Sequence, residues 1–307
     1  MAYYCGWDGG GTKTEVLCLD ENGAPLSDSV FGPLNPNGAD PERVRQTVRE
    51  CIQYMNTITG GLEACEYLVI GTAGVSNADA CRLVTDTVRA CGYHGPLTLL
   101  GDQEIALAGA IQGAGAVLVA GTGSICCGRD GKGNTTRVGG YGYLIDDGGS
   151  GYAIGRDILT AVVRAADGRD APTLLTSLVY QELRVDSTQG VITWLYRPET
   201  GKKEIAALSP LLLTALEQED SAALKIADKA ASDLAVLAIT AWNNLQLAQG
   251  ELAVTGSILK RYPRIRRELE RLCHQACPQM TIIDPRGSAA QGAALLAYER
   301  REMQQHG

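Results

Sequence analysis

Short apolar runs alternate with longer amphipathic ones along this chain. Tyr3–Trp7, Glu15–Leu19, Pro25–Phe31, Tyr67–Thr72, Leu97–Leu100 and Ala116–Ala120 read as strands. Pro41–Met55 reads as a helix, with Asp40 as N-cap and Val44, Val48, Cys51 and Ile52 on one face. Ala78–Cys91 follows the same pattern. Three strands, then alternating helix and strand, predict a mixed sheet with helices packed on it. A second round begins near Ala116. There Ala116–Gly123, Ile125–Gly133 and Thr136–Ile145 read as strands joined by glycine turns. Helical patterns follow at Gly155–Ala166, Ala171–Val179 and Ala222–Leu247. Next comes the strand-and-turn segment ELAVTGSILK (Glu251–Lys260), and last an amphipathic helix, Ala289–Arg301. The two rounds form an internal repeat, each opening with strands around a glycine turn.

Those turns are the first sign of chemistry. WDGGGTKTEV interrupts an apolar start with three consecutive glycines, which weaken a strand interior. At a hairpin tip the same glycines let backbone N–H groups point into one concavity and let an anion approach without Cβ atoms in the way. DGGGTKT (Asp8–Thr14) adds two hydroxyls and a cation, and AGTGS (Ala120–Ser124) supplies a matching tip in the second round. Facing each other across a cleft, two such tips would hold a polyphosphate. Neither is a P-loop, because GxxxxGK[ST] is missing, nor a dinucleotide fingerprint, because a strand follows. The weight comes from an ordered set of four: DGGGTKT, LLGDQEIALAG (Leu99–Gly109), VAGTGS (Val119–Ser124) and VTGSILK (Val254–Lys260). Asp102 follows a strand pattern and opens a helix pattern. That puts a carboxylate at a sheet's carboxyl edge, where α/β ligands bind; an ordinary N-cap is the alternative. Asp8 precedes the first tip, where a carboxylate beside phosphates is useful with Mg²⁺; a turn cap is the alternative.

Composition narrows the classes. The 307 residues suffice for two domains, and 45% hydrophobic residues mark a globular protein. A net charge of -8 argues against a nucleic-acid partner, and the basic run Lys260–Arg267 reads as a solvated helix face. MAYYCGWDGGG lacks the features of a signal peptide, and no run reaches the ~20 apolar residues of a membrane span. The ten cysteines fall mostly in apolar segments, as reduced buried thiols of a cytoplasmic protein would. Cys126 and Cys127 are adjacent, Cys273 and Cys277 are four apart, and no CxxC occurs. His94, His274 and His306 form no catalytic pattern.

With these motifs the chain resembles the acetate-kinase/hsp70/actin-type ATPase superfamily. Within it, the chain resembles the N-acetylglucosamine kinase branch grouped with the BadF/BadG-type ATPases. The likeness runs almost end to end. EVLCLDENG follows the first tip at the family's spacing, and GGYGYLIDDGGSGYAIGRD (Gly139–Asp157) resembles the branch's GGWG…GDEGS…WIG stretch. VITWLYRP (Val191–Pro198) and GSAAQGAALLA (Gly287–Ala297) extend it.

The resemblance implies an α/β protein of two ribonuclease-H-like domains, 1–114 and 115–288. The helix at 289–307 would pack back on the first domain, with ATP and sugar in the cleft between the two. It implies ATP and Mg²⁺ as cofactors, an amino sugar as partner, transfer to O6 of N-acetylglucosamine, and a homodimer. Gly10, Gly11, Thr12, Lys13 and Thr14, with Gly121, Thr122 and Gly123, would face the phosphates, and Gly256 and Ser257 the adenosine. Asp102 falls on the catalytic aspartate, and Asp8 on the metal position. Asn35, Asn37, Ser124, Gly140, Tyr141, Gly142 and Asp147 fall on sugar-site positions. Asparagines at turns also cap them, and Tyr141 also reads as a half-buried strand residue. Three departures stand out: Tyr141 replaces a tryptophan, Gly148 a glutamate, and Ile125 a polar amide. They leave glucosamine or a murein amino sugar open as acceptor. A different class is an ATPase that activates an electron-transfer enzyme, which would need cysteines holding an iron–sulfur cluster. A sugar-sensing repressor would need a DNA-binding domain ahead of Gly9, where the sequence leaves no room.

Overall fold

The computed structural model describes residues 1–35, 40–72, 75 and 77–305, with 301–305 by backbone alone. The chain divides into two compact units, residues 1–112 with 285–307, and residues 113–284.

In the first unit β1 (Tyr3–Gly9), β2 (Thr14–Asp20) and β3 (Pro25–Phe31) form an antiparallel meander. Then come α1 (Pro41–Thr57), β4 (Cys65–Thr72), α2 (Ala78–Ala90), β5 (Leu97–Leu100) and α3 (Asp102–Ala110). The strand order is β3-β2-β1-β4-β5, with β4 parallel to β1 and β5 parallel to β4. Tyr3, Tyr4, Cys5 and Trp7 of the central β1 are all buried, whereas the edge strand β3 has no buried residue. The Asp40 carboxylate starts α1 by accepting the Glu42 N–H at 3.1 Å, and Pro41 sits where no donor is needed. The face Val44, Val48, Cys51, Ile52 and Met55 is buried.

The second unit repeats this plan. β6 (Gly115–Ala120), β7 (Ser124–Arg129) and β8 (Thr135–Gly139) form the meander. A helical insertion follows: α4 (Gly151–Ala166), α5 (Leu174–Leu183), α6 (Thr188–Leu195), α7 (Lys202–Ala206), α8 (Leu211–Glu217) and α9 (Ser221–Asn244). β9 (Gly250–Thr255), α10 (Ser257–Arg261), α11 (Pro263–Ala276) and β10 (Met280–Ile283) complete the unit. Its order β10-β9-β6-β7-β8, with β9 parallel to β6 and β10 to β9, matches the first sheet strand for strand.

The last helix, α12 (Ala289–Gln305), belongs to the first unit. Its small residues let it lie directly on backbone. A Cβ on Gly292 would stand 2.0 Å from the Ile105 carbonyl oxygen of α3, and one on Gly6 of β1 2.1 Å from the Ala294 nitrogen. The GSAAQGAALLA segment thus acts through close packing.

Several sequence boundaries move. The expected strand Thr136–Ile145 stops at Gly139, because Gly139, Gly140, Gly142, Asp147 and Gly149 all take positive φ and break the ladder. Tyr141 is therefore an exposed loop residue, not a half-buried strand tyrosine. The helix expected at Ala171–Val179 begins at Leu174, where Thr173 caps it after Pro172. Strand β10 and helices α6, α7, α8 and α10 are additions to the sequence reading, and the helix face read at Lys260–Arg267 continues as α11 to Ala276.

Candidate active site

In the first unit the hairpin tip is residues 10–13, closed by a Gly10 N–H to Lys13 carbonyl bond of 2.9 Å. The segment after β3 runs alongside, since Leu34 N–H donates to the Gly10 carbonyl at 3.0 Å. That brings Asn35 to the tip: its amide nitrogen lies 3.9 Å from where a Gly11 Cβ would stand. The sequence reading separates Asn35 from the phosphate turn, but in the fold the two adjoin. Thr12 and Lys13 are exposed, and Lys13 pairs with Glu15. Thr14 is a correction. It is fully buried and its hydroxyl donates to the Gly32 carbonyl at 2.7 Å, so it ties β2 to the following segment and has no surface to offer a phosphate. Asn37 lies outside the described residues.

Asp8 is the penultimate residue of β1 and Asp102 opens α3 one residue after β5, so both stand at the carboxyl edge of the parallel strands. Burial, then the neighbouring Glu15 and Asp102 carboxylates, push the Asp8 carboxyl above its usual range, with Lys13 opposing. Glu15 faces Asp8 directly across the β1–β2 pair. This electrostatic deficit and its oxygen donors suit a hard divalent cation, which commonly takes one or two carboxylates and completes its shell with phosphate and water. Among the described residues no group of three or more His, Cys, Asp or Glu forms a ready-made metal cage. Asp102 is exposed. Gly101 is the N-cap, and Asp102 is the first helical residue, accepting the Gln103 N–H at 2.9 Å.

In the second unit the equivalent tip is residues 121–123, closed by a Gly121 N–H to Gly123 carbonyl bond of 2.9 Å. The amino end of α4 locks it from behind: Gly151 and Tyr152 N–H groups donate to the Gly121 and Thr122 carbonyls at 2.7 and 3.3 Å. Gly256, at φ +101°, carries the chain past the same tip; a Cβ there would stand 2.2 Å from the Ala120 carbonyl oxygen. Ser257 is exposed at the start of α10. Ser124 is buried, and its hydroxyl donates to the Gly148 carbonyl at 2.7 Å. The glycine loop 140–149 is braced at both ends. Arg137 donates to the Gly140 carbonyl at 2.6 Å and lies over the Tyr141 ring at 5.2 Å. Asp147, only 3% exposed, accepts from the Ser124 N–H at 3.2 Å and from Lys202 Nζ at 2.7 Å. Gly142 adds no side chain to this loop and sits at φ +98°.

The matched family description covers residues 5–297. The chain belongs to the BadF/BadG/BcrA/BcrD ATPase family. It is 32% identical over 301 residues to the N-acetylmuramic acid/N-acetylglucosamine kinase of Clostridium acetobutylicum, spanning 97% of this chain and 98% of that one. The N-acetyl-D-glucosamine kinase of Dictyostelium discoideum is 30% identical over 314 residues, 97% and 98% of the two chains. Among solved structures, a candidate N-acetylglucosamine kinase from Chromobacterium violaceum superposes with a TM-score of 0.72 at 26% identity, over 97% of this chain and 99% of that one. The two-unit actin-like ATPase fold expected from the sequence is therefore the fold of this family member.

All ten cysteines of this BadF/BadG ATPase are free thiols. Cys126 and Cys127 are consecutive on β7, so they point to opposite faces of the sheet, and both are buried. Burial raises the Cys126 thiol far above its usual value. Joint ligation of one cluster by this pair would require β7 to leave the sheet. Two charged residues near the loop escape the sequence reading, Lys202 and Asp233. Asp233 of α9 stands beside Gly148, its carboxylate oxygen 3.2 Å from where a Cβ would be. A carboxylate thus reaches the place where the branch motif carries glutamate, from a helix far away in sequence. Nothing in SDLAV or GKKEI signals this, because only the tertiary fold brings them to the loop.

Proposed function

We propose that this family member transfers the terminal phosphoryl group of ATP to a hydroxyl of an amino sugar, O6 of N-acetylglucosamine before others. The chain is a kinase in this reading, and its named relatives are sugar kinases. The observation that carries it is the pair Asp8 and Asp102 at one sheet edge beside a glycine tip, with a second tip at the matching place of the repeat. Gly10, Gly11, Thr12 and Lys13, with Gly121, Thr122 and Gly123, would line the phosphates with the N–H groups left over from closing the tips, the Thr hydroxyls and the Lys13 ammonium; Gly256 and Ser257 would border the adenosine. Asp8 would hold Mg²⁺, which supplies charge neutralisation at the phosphates when bound.

Asp102 accepts the hydroxyl proton and orients the attacking oxygen. Phosphoryl transfer through a loose transition state needs little base strength, so orientation is its larger task. Asn35, Gly140, Tyr141, Gly142 and Asp147 form the sugar side, with Asn37 as a further candidate; Ser124, its hydroxyl bound to the Gly148 carbonyl, would serve it by holding Asp147 through its N–H. In this reading the protein works in the cytoplasm, in line with its free thiols, and the homodimer is taken from the family resemblance; among the described residues no helix is long and apolar enough to cross a membrane. N-acetylmuramic acid is the second acceptor to consider, because one relative carries it in its name. ATP consumption measured with N-acetylglucosamine, N-acetylmuramic acid, glucosamine and glucose tests this. N-acetylglucosamine is expected to win. A tenfold lead for glucosamine or glucose would overturn the acetamido preference, and no sugar-dependent consumption would overturn the kinase.

A further inference from the structure

We infer that Lys202 is a positioning residue for the sugar, acting through Asp147. The inference rests on the reading that Asp147 faces the sugar. Asp147 is an unusual place for a carboxylate. It is 3% exposed, and its backbone is left-handed at φ +65°, a conformation with a steric cost for any non-glycine residue. A buried carboxylate is retained only with partners that satisfy its charge. Two are present. The Ser124 N–H reaches Oδ1 at 3.2 Å and the Lys202 ammonium reaches Oδ2 at 2.7 Å, from 55 residues away. Each oxygen keeps lone-pair capacity for one further donor, as a sugar hydroxyl would supply.

Lys202 is placed for this task rather than for its helix. It is the first residue of α7, where a positive charge opposes the helix dipole. The helix end is instead satisfied by Glu204, whose carboxylate accepts the Gly201 N–H at 2.9 Å. The ammonium also lies 5.9 Å from the Tyr143 ring centroid. Gly123 completes the fit, since a Cβ there would stand 2.9 Å from Lys202 Nζ and from both Asp147 oxygens. Ammonium, carboxylate and glycine tip thus form one packed unit. Lys202 fixes the direction of the carboxylate and compensates its charge, and Asp147 presents its remaining lone pairs to the hydroxyl.

The test measures steady-state constants for N-acetylglucosamine and ATP in Lys202→Met, Lys202→Arg, Asp147→Asn and the Lys202→Met/Asp147→Asn pair, with melting temperatures alongside. Lys202→Met is expected to raise the sugar KM at least tenfold and to change kcat less than about threefold. Lys202→Arg should recover most of that loss. The double variant should be no worse than Asp147→Asn alone, because the two act as one unit. Should Lys202→Met fail to fold, the double variant, which removes both charges, and Lys202→Arg carry the comparison. A sugar KM within twofold of wild type in Lys202→Met, while Asp147→Asn raises it, would overturn the role of Lys202 and leave the sugar site standing. An unchanged KM in Asp147→Asn would instead overturn the sugar reading of Asp147 and the inference with it.

Discussion

At the scale of single residues, the carboxylates divide by environment. Asp102 is exposed and accepts the adjacent Gln103 N–H, so Asp102→Asn should fold and bind ATP normally. Its turnover should fall at least ~10²-fold, the usual size of a lost acid–base group; near-normal turnover would reduce Asp102 to a helix-start residue. Asp8 behaves oppositely. Its folded pKa is raised above the ordinary 3.8 by burial and by Glu15 and Asp102. A carboxyl raised in this way stabilises the fold fully below its unfolded pKa, and that contribution is lost as pH rises through the folded one. At pH 7 the charged Asp8 therefore costs stability. Asp8→Asn should melt a few degrees higher than wild type at pH 7, with the gap closing toward pH 4, while losing Mg²⁺-dependent activity. A lower melting temperature at pH 7 would show that the carboxylate is structurally required.

At the scale of elements, glycines at the tips and glycines at packing contacts should respond differently. Among the described residues a Cβ on Gly11 meets only the Asn35 amide, at 3.9 Å, so Gly11→Val should fold and lose ATP affinity, as isothermal titration would read. A Cβ on Gly292 meets backbone of α3 at 2.0 Å, so Gly292→Val should destabilise the first unit by about 3 kcal/mol or more in denaturant titration. The repeat was legible because strand patterns and glycine tips recur in the same order in both halves. Helix α1 was legible because Asp40 and its apolar face are local signals. The loop 140–149 was not, since its alternating Tyr, Leu and Ile imitate a strand while positive-φ residues undo it. Tyr141, Leu144 and Ile145 end exposed. Asp8 and Asp102 could be named from local motifs, whereas Lys202 and Asp233 reach the loop only through the helices inserted between β8 and β9.

At the scale of the whole molecule, two sheets of the same order each carry a glycine tip after their first strand; Asp8 and Asp102 belong to the first unit, Asp147 and Asp233 to the second. In the proposed reading the first unit would supply Asp102 for the acceptor and Asp8 for the metal, and the second the loop 140–149 with Asp147. The central claim is phosphoryl transfer to an amino-sugar hydroxyl oriented by Asp102. The most direct measurement is ³¹P NMR, with proton coupling, of N-acetylglucosamine incubated with Mg·ATP and either wild-type protein or Asp102→Asn. The account predicts a phosphomonoester resonance coupled to the C6 methylene protons that grows with wild-type protein and is at least ~10²-fold slower with Asp102→Asn. ATP converted to ADP and free phosphate with no sugar phosphate, or equal rates from the two proteins, would contradict it.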